Sequence, residues 1–242
     1  MRSIETINRR MIGLVLVVLT LTSPAARALE LADLSNQDAI AGLKAALDKG
    51  SVAAVAKLGV ENGFLNNDKV KIPLPGPLQK GETLLRAMGM GKQADELVVA
   101  MNRAAESAVT EAKPLLVNAI KSMTVTDAKN ILGGGDDSVT RFFKEKTAQP
   151  LAVKFLPVVK KATDRVGLAQ KYNAYAGQAM QLGLVTGDKA TVEQYVTQKT
   201  LDGLYLMIAD EERAIRENPV GAGSAILSNS RDFSLGRVPL GS

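Results

Sequence analysis

The chain has 242 residues, 30 basic and 25 acidic side chains, a formal net charge of +5, and no histidine, cysteine or tryptophan. That composition removes the imidazole base, the thiolate nucleophile and the usual ligand sets for zinc, copper, haem and iron–sulfur clusters. It also removes the di-iron bundles, each of which needs a Glu-x-x-His pair, so no cofactor is expected.

The first segment has the order of a secretory leader. Arg2, Arg9 and Arg10 precede the apolar stretch 11–21, Pro24 follows, and Ala26-Arg27-Ala28 offers the small-x-small pattern of a signal-peptidase site. The apolar stretch is too short to span a bilayer, which takes about 20 residues. The sequence therefore predicts a signal peptide over 1–28, cleavage after Ala28, and a periplasmic location with no spanning segment left. Cleavage takes away Arg2, Arg9, Arg10, Arg27 and Glu5, which lowers the net charge from +5 to +2. No basic run with interleaved aromatics is then present, and nucleic-acid binding is not expected.

Beyond the leader the apolar spacing is helical. Ser35 and Asp38 have the spacing of a capping box ahead of Ile40, Leu43 and Leu47. Gly50 is expected to end that helix, and Ser51 to cap a short second one through Val52, Val55 and Leu58. Residues 59–81 hold Gly59, Gly63, Pro73, Pro75, Gly76, Pro77 and Gly81, which predicts one long Pro/Gly-rich loop. A short helix around 83–88 and a break at Gly89-Met90-Gly91 come next. The longest element is expected near 92–122, interrupted around 110–113 by Pro114. On it Leu97, Met101, Ala104, Ala105, Ala108 and Ala112 share one arc, while Asp95, Glu96, Asn102, Arg103, Glu106, Thr110 and Lys113 share the other.

Thr124 with Asp127 makes a second capping box, and Gly133-Gly134-Gly135 stops the helix it opens. Asp136 or Asp137 can cap the next helix, with Val139, Phe142 and Phe143. Pro150 suits a further first turn, and Pro157 predicts a bend. The last strong element covers 191–217, and its stretch 201–209 is apolar nearly all round except for Asp202. No strand alternation of useful length occurs. The expected fold is all-α: an irregular multi-helix bundle forming a single domain over 29–220, followed by a flexible Gly/Ser/Pro-bearing tail over 221–242.

Several separated motifs recur in a fixed order: Gly63-Phe64, Lys71-Ile72-Pro73-Leu74-Pro75, Met101-Asn102-Arg103-Ala104-Ala105-Glu106, Asp127-Ala128 with Ile131-Leu132-Gly133, Thr140 with Phe143, and Glu211-Glu212 with Ile215-Arg216 and Asn218-Pro219. In these the chain resembles the bacterial exported family catalogued as domain of unknown function 4197, over roughly residues 30–220. The resemblance implies a mainly helical fold and an envelope location, and it implies no activity. Where that family continues past Asn-Pro with an arginine and a final apolar helix, this chain reads Gly221-Ala222-Gly223-Ser224.

Among possible sites, Gly89-Met90-Gly91-Lys92 lacks the spacing and the preceding strand of a phosphate loop and reads as a helix break. Gly133-Gly134-Gly135-Asp136-Asp137 lacks the register of a calcium loop and reads as a C-cap followed by an N-cap. The strongest polar candidate is Asn102, Arg103 and Glu106, with Glu211, Glu212 or the loop Lys71, Ile72, Pro73, Leu74 and Pro75 as partners. Asp202 is a further partner for a buried cation or helix cap, and Glu212 with Arg216 is an i,i+4 pair. A structural polar network is favoured over a ligand site. The function expected is a non-enzymatic binding or interaction module for an apolar small molecule, lipid or envelope protein. The competing expectation is a hydrolase or lyase that works through carboxylates and Arg, with Glu106, Glu211 or Glu212 as base.

Overall fold

The computed structural model describes residues 24–182 and 191–217, and in these it is helical with no strand. The helices are α1 (Pro24–Leu58), α2 (Gly76–Leu85), α3 (Gly91–Val109), α4 (Ala112–Lys121), α5 (Val125–Leu132), α6 (Ser138–Arg165), α7 (Leu168–Gln181) and α8 (Val192–Glu217). The all-α expectation holds. The chain divides into two compact units, residues 1–38 and 39–242. In the first, the described stretch 24–38 is helical. Most of the expected leader and the whole expected tail lie outside the described residues. Among those described, no helix is long and apolar enough to cross a membrane.

In the second unit α6 packs most extensively against α8 and then α3, and α3 also meets α8 and α7. The α3 arc came out as read: Leu97, Met101, Ala104, Ala105 and Ala108 are buried, with Ala112 just beyond at the start of α4. Thr110 and Glu111 separate α3 from α4, in the interval where Pro114 was expected to interrupt the helix. On α8, Leu201, Gly203, Leu204, Tyr205, Met207 and Ile208 are buried, as befits a helix in the middle of a bundle.

Three local expectations fail. Helix α1 starts at Pro24 and runs through Ser35 and Gly50 without a break. Gly50 is buried, and a Cβ there would stand 3.4 Å from Ile215 Cδ1 and 3.5 Å from Glu211 Cβ. The residue serves the close approach of α8 rather than a helix end. The irregular loop is shorter than predicted, 59–75, because Gly76 and Pro77 open α2, where proline is tolerated in the first turn. The expected break at Gly89 is present: Gly89 leaves the helical region at φ +85° between α2 and α3. Finally, α6 runs through Pro150, where a new helix was expected to start, and on past Pro157. Its buried stripe Phe143, Thr147, Leu151, Phe155, Val159 and Thr163 keeps strict i,i+4 spacing across them. Both prolines sit on the exposed face, where water can satisfy the carbonyls they free.

The loop 59–75 is part of the core. Phe64, Val70, Ile72 and Leu74 are all buried, each contributing on the order of 1.5–3 kcal/mol of apolar burial. Phe64 and Val70 lie on α8 at Gly203, where a Cβ would come within 2.7 Å of the Phe64 ring and 3.3 Å of Val70 Cβ. At Gly63 a Cβ would strike the Lys57 and Leu58 carbonyls at 2.6 and 2.5 Å. Only glycine fits either position.

Candidate functional site

A buried irregular loop must find partners for backbone groups that a helix would satisfy itself. Here α3 supplies them. Asn102, wholly buried, accepts from the Ile72 N–H at 2.9 Å and donates to the Ile72 carbonyl at 2.9 Å and the Val98 carbonyl at 2.7 Å. Its amide thus pairs with the Ile72 peptide as a neighbouring strand would. One turn on, Glu106 Oε1 accepts from the Phe64 and Leu65 N–H groups at 3.1 and 3.2 Å. Glu106 Oε2 meets Arg103 Nη1 at 2.7 Å, so the buried carboxylate is both hydrogen-bonded and charge-balanced. The other arm of Arg103 reaches Asn62 Oδ1 at 2.9 Å and Glu61 Oε1 at 3.0 Å. Asn62 adopts φ +69°, a left-handed conformation that asparagine tolerates better than most residues.

A second cluster repeats the device on α8. Glu212, almost wholly buried, accepts from the Val139 N–H at 3.0 Å on one oxygen and from the Thr140 N–H and hydroxyl at 3.0 Å on the other. Arg216 closes on Glu212 Oε1 at 3.0 Å and donates to Ser138 Oγ at 2.7 Å and the Gly135 carbonyl at 3.0 Å. Glu212 therefore caps the N-terminus of α6 from another helix. Asp137 stands at the N-cap position but makes no side-chain cap, contrary to the expectation for Asp136 or Asp137.

The candidate residues divide between these clusters. Asn102, Arg103 and Glu106 meet the loop, Asn102 directly at Ile72, while Glu212 and Arg216 meet α6. Glu211 pairs with Lys57 at 2.5 Å and is remote from Arg103 in its partners. Asp202 corrects an expectation: it is exposed, beside Gln198 Nε2 at 3.0 Å and Lys199 Nζ at 3.7 Å, and partners no buried cation. In the loop, Ile72, Leu74 and Pro75 are buried and only Lys71 is exposed, while the Pro73 carbonyl accepts from the Tyr195 hydroxyl at 3.1 Å. Burial pushes the Tyr195 phenol above its ordinary value.

A third face of α3 is open. A groove of about 500 Å³ lies along Lys92, Asp95, Val99, Ala100, Arg103 and Ser107, bounded by Ala162, Arg165 and Val166 at the end of α6 and by Lys171 on α7. Its floor is apolar and its rim charged. Asp95 is bound by Arg86 at 2.6 Å, which holds its carboxyl below the usual carboxylate range, and Glu96 pairs with Lys171 at 3.1 Å. Lys92 and Arg165 make no ion pair among the described residues. Sequence reasoning missed this groove. The available signal was Val99-Ala100 interrupting the polar face of α3, and exposed Val166 just before Gly167, whose φ is +61°.

Among the described residues no group of three carboxylates converges as a cation site would require. No curated protein and no solved structure matches the chain. A family model does, over residues 33–230, a span that includes the Gly221-Ala222-Gly223-Ser224 stretch. The chain belongs to the family described as "Protein of unknown function (DUF4197)".

Proposed function

We propose that the protein is an exported, non-enzymatic binding module of the bacterial envelope, and that the α3–α6–α7 groove accepts an apolar or amphipathic small molecule. One observation carries the reading. The groove joins an apolar floor of Val99, Ala100, Ala104, Ala162 and Val166 to a charged rim, at about 500 Å³. Ligand sites combine these features, and roughly 300–1,000 Å³ is their ordinary size. The small alanine side chains leave room for a chain to lie along α3. The leader-like segment 1–28 supports the envelope location.

The hydrolase or lyase alternative gains no support from the geometry. A general base needs a free lone pair facing substrate. Glu106 and Glu212 each spend both oxygens on backbone N–H groups, an arginine or a hydroxyl, and Glu211 is held by Lys57.

The test is native mass spectrometry of protein isolated from the periplasm, paired with titration of a fluorescent long-chain fatty acid. Val99→Glu places a carboxylate on the groove floor at a residue that is 41% exposed, so the fold should survive. A reproducible apolar adduct, and probe binding lost in Val99→Glu, is the expected result. Absence of adduct together with probe binding untouched by Val99→Glu sinks the reading.

A further inference from the structure

Helix α6 carries seven basic residues against two acidic ones, and its C-terminal half turns an unusual surface outward. Two adjacent ridges are exposed there. One is Val153, Leu156 and Lys160; the other is Lys154, Pro157, Lys161 and Arg165. Val153 is 66% exposed and Leu156 is 39% exposed, an arrangement that costs apolar hydration without any core benefit. Lys154 is paired with Glu111 at 3.4 Å. Lys160, Lys161 and Arg165 make no ion pair among the described residues, and Asp164 is the one acidic residue in this stretch. The inward stripe of α6 meets the core, so these ridges belong to a helix whose other side is firmly seated.

We infer that the outer face of α6 over residues 153–165 docks on an anionic phospholipid surface, with Val153, Leu156 and Pro157 entering the headgroup layer and Lys160, Lys161 and Arg165 meeting its phosphates. Apolar side chains beside unpaired cations are the pattern of an interfacial helix, for which burial and electrostatic attraction add. The charge sign chooses the occupant: Lys160, Lys161 and Arg165 are complementary to a negative bilayer and gain no attraction from a neutral one. The second ridge ends at Arg165, which also lines the groove. Docking would therefore bring the groove mouth toward the bilayer, and this delivery role, unlike the docking itself, rests on the function proposed above.

The experiment is co-sedimentation of the periplasm-isolated protein with vesicles of phosphatidylcholine alone or mixed with phosphatidylglycerol. Binding is expected only with the anionic lipid and should fall as salt rises. Lys160→Glu with Lys161→Glu should lower the partition by roughly thirty-fold or more, since each cation at an anionic surface is worth about five-fold. Val153→Ser with Leu156→Ser should lower it several-fold with charge intact. All four positions are exposed, and a circular-dichroism melt of each variant confirms that it folds; should one pair unfold, the other carries the test. Three results overturn the docking: no binding to anionic vesicles, equal binding to neutral ones, or charge-reversed protein that binds like the parent. Capture of an acidic protein without vesicle binding overturns it too. Loss of vesicle docking with fatty-acid binding retained leaves the groove reading standing, and the reverse leaves docking standing.

Discussion

The two buried glutamates solve the same problem for different clients. Glu106 on α3 and Glu212 on α8 each accept two consecutive backbone N–H groups and lean on an arginine of their own helix, at i−3 for Arg103 and at i+4 for Arg216. Glu106 holds two loop amides, Phe64 and Leu65, that the loop's own turn hydrogen bonds leave unpaired. Glu212 holds a helix N-terminus, where the aligned peptide dipoles favour a negative group and a substitute cap is already close by. The contrast teaches that a carboxylate is indispensable in proportion to how few alternatives its donors have. Each residue would cost several kcal/mol to bury alone, so each persists only because every oxygen is engaged.

The sharpest way to break the comparison is Glu106→Ala. It orphans the Phe64 and Leu65 N–H groups and strips Arg103 of its buried partner, so we expect a loss of about 3–5 kcal/mol in chemical denaturation. Glu212→Ala should cost less, about 1–3 kcal/mol, because Asp137 at the N-cap position can turn toward the freed amides. Adding Asp137→Ala should then restore a loss comparable with Glu106→Ala. If the two single variants melt alike and Asp137→Ala adds nothing, the difference between loop and helix clients is wrong.

A third cap sharpens the scale at the exposed end. Thr124 accepts from the Asp127 N–H at 3.0 Å, and Asp127 accepts from the Thr124 N–H at 3.0 Å. Thr124→Ala should cost about 1 kcal/mol. The Thr124 backbone N–H first, and second its hydroxyl, which donates to Asp127 Oδ2 at 2.8 Å, lower the Asp127 carboxyl below its ordinary value. Because the folded value is the depressed one, the stability this provides is present above the ordinary carboxylate range. It is lost as pH falls through the lowered folded value. Thr124→Ala removes the hydroxyl but keeps the backbone N–H, so it should lessen the acid limb of a stability–pH profile without abolishing it, and an unchanged limb would remove the hydroxyl as a contributor. The smallest effect belongs to Asp202→Ala, expected within about ±0.5 kcal/mol, since its neighbours Gln198 and Lys199 share its own exposed helix face.

Reading the residues alone went far with elements and not far with partners. Asn102, Arg103 and Glu106 stand out on α3, and although their position opposite the apolar arc would suit a solvated face, the loop at 71–75 is among the partners expected for them. Only the loop lying over that face makes Asn102 and Glu106 interior residues. Asp202 shows the converse: an acid set among apolar neighbours looks buried, but with Leu206, 41% exposed, it falls on the outward edge of α8. The groove escaped because its walls come from α3, α6 and α7, and no one of them announces a concavity.

By itself the sequence determined the all-helical class, the Thr124–Asp127 cap, the interruption before Pro114 and the buried arc of α3. These rest on interactions spanning three or four residues, which periodicity and capping chemistry encode directly. Tertiary structure decided that α1 continues through Gly50, that α6 survives Pro150 and Pro157, and that 59–75 is core. It also joined Glu106 to a peptide 41 residues away and Glu212 to one 72 residues away. Burial against distant elements outweighs a local preference of about 1–3 kcal/mol, and which distant surface will be there is not written in the local pattern.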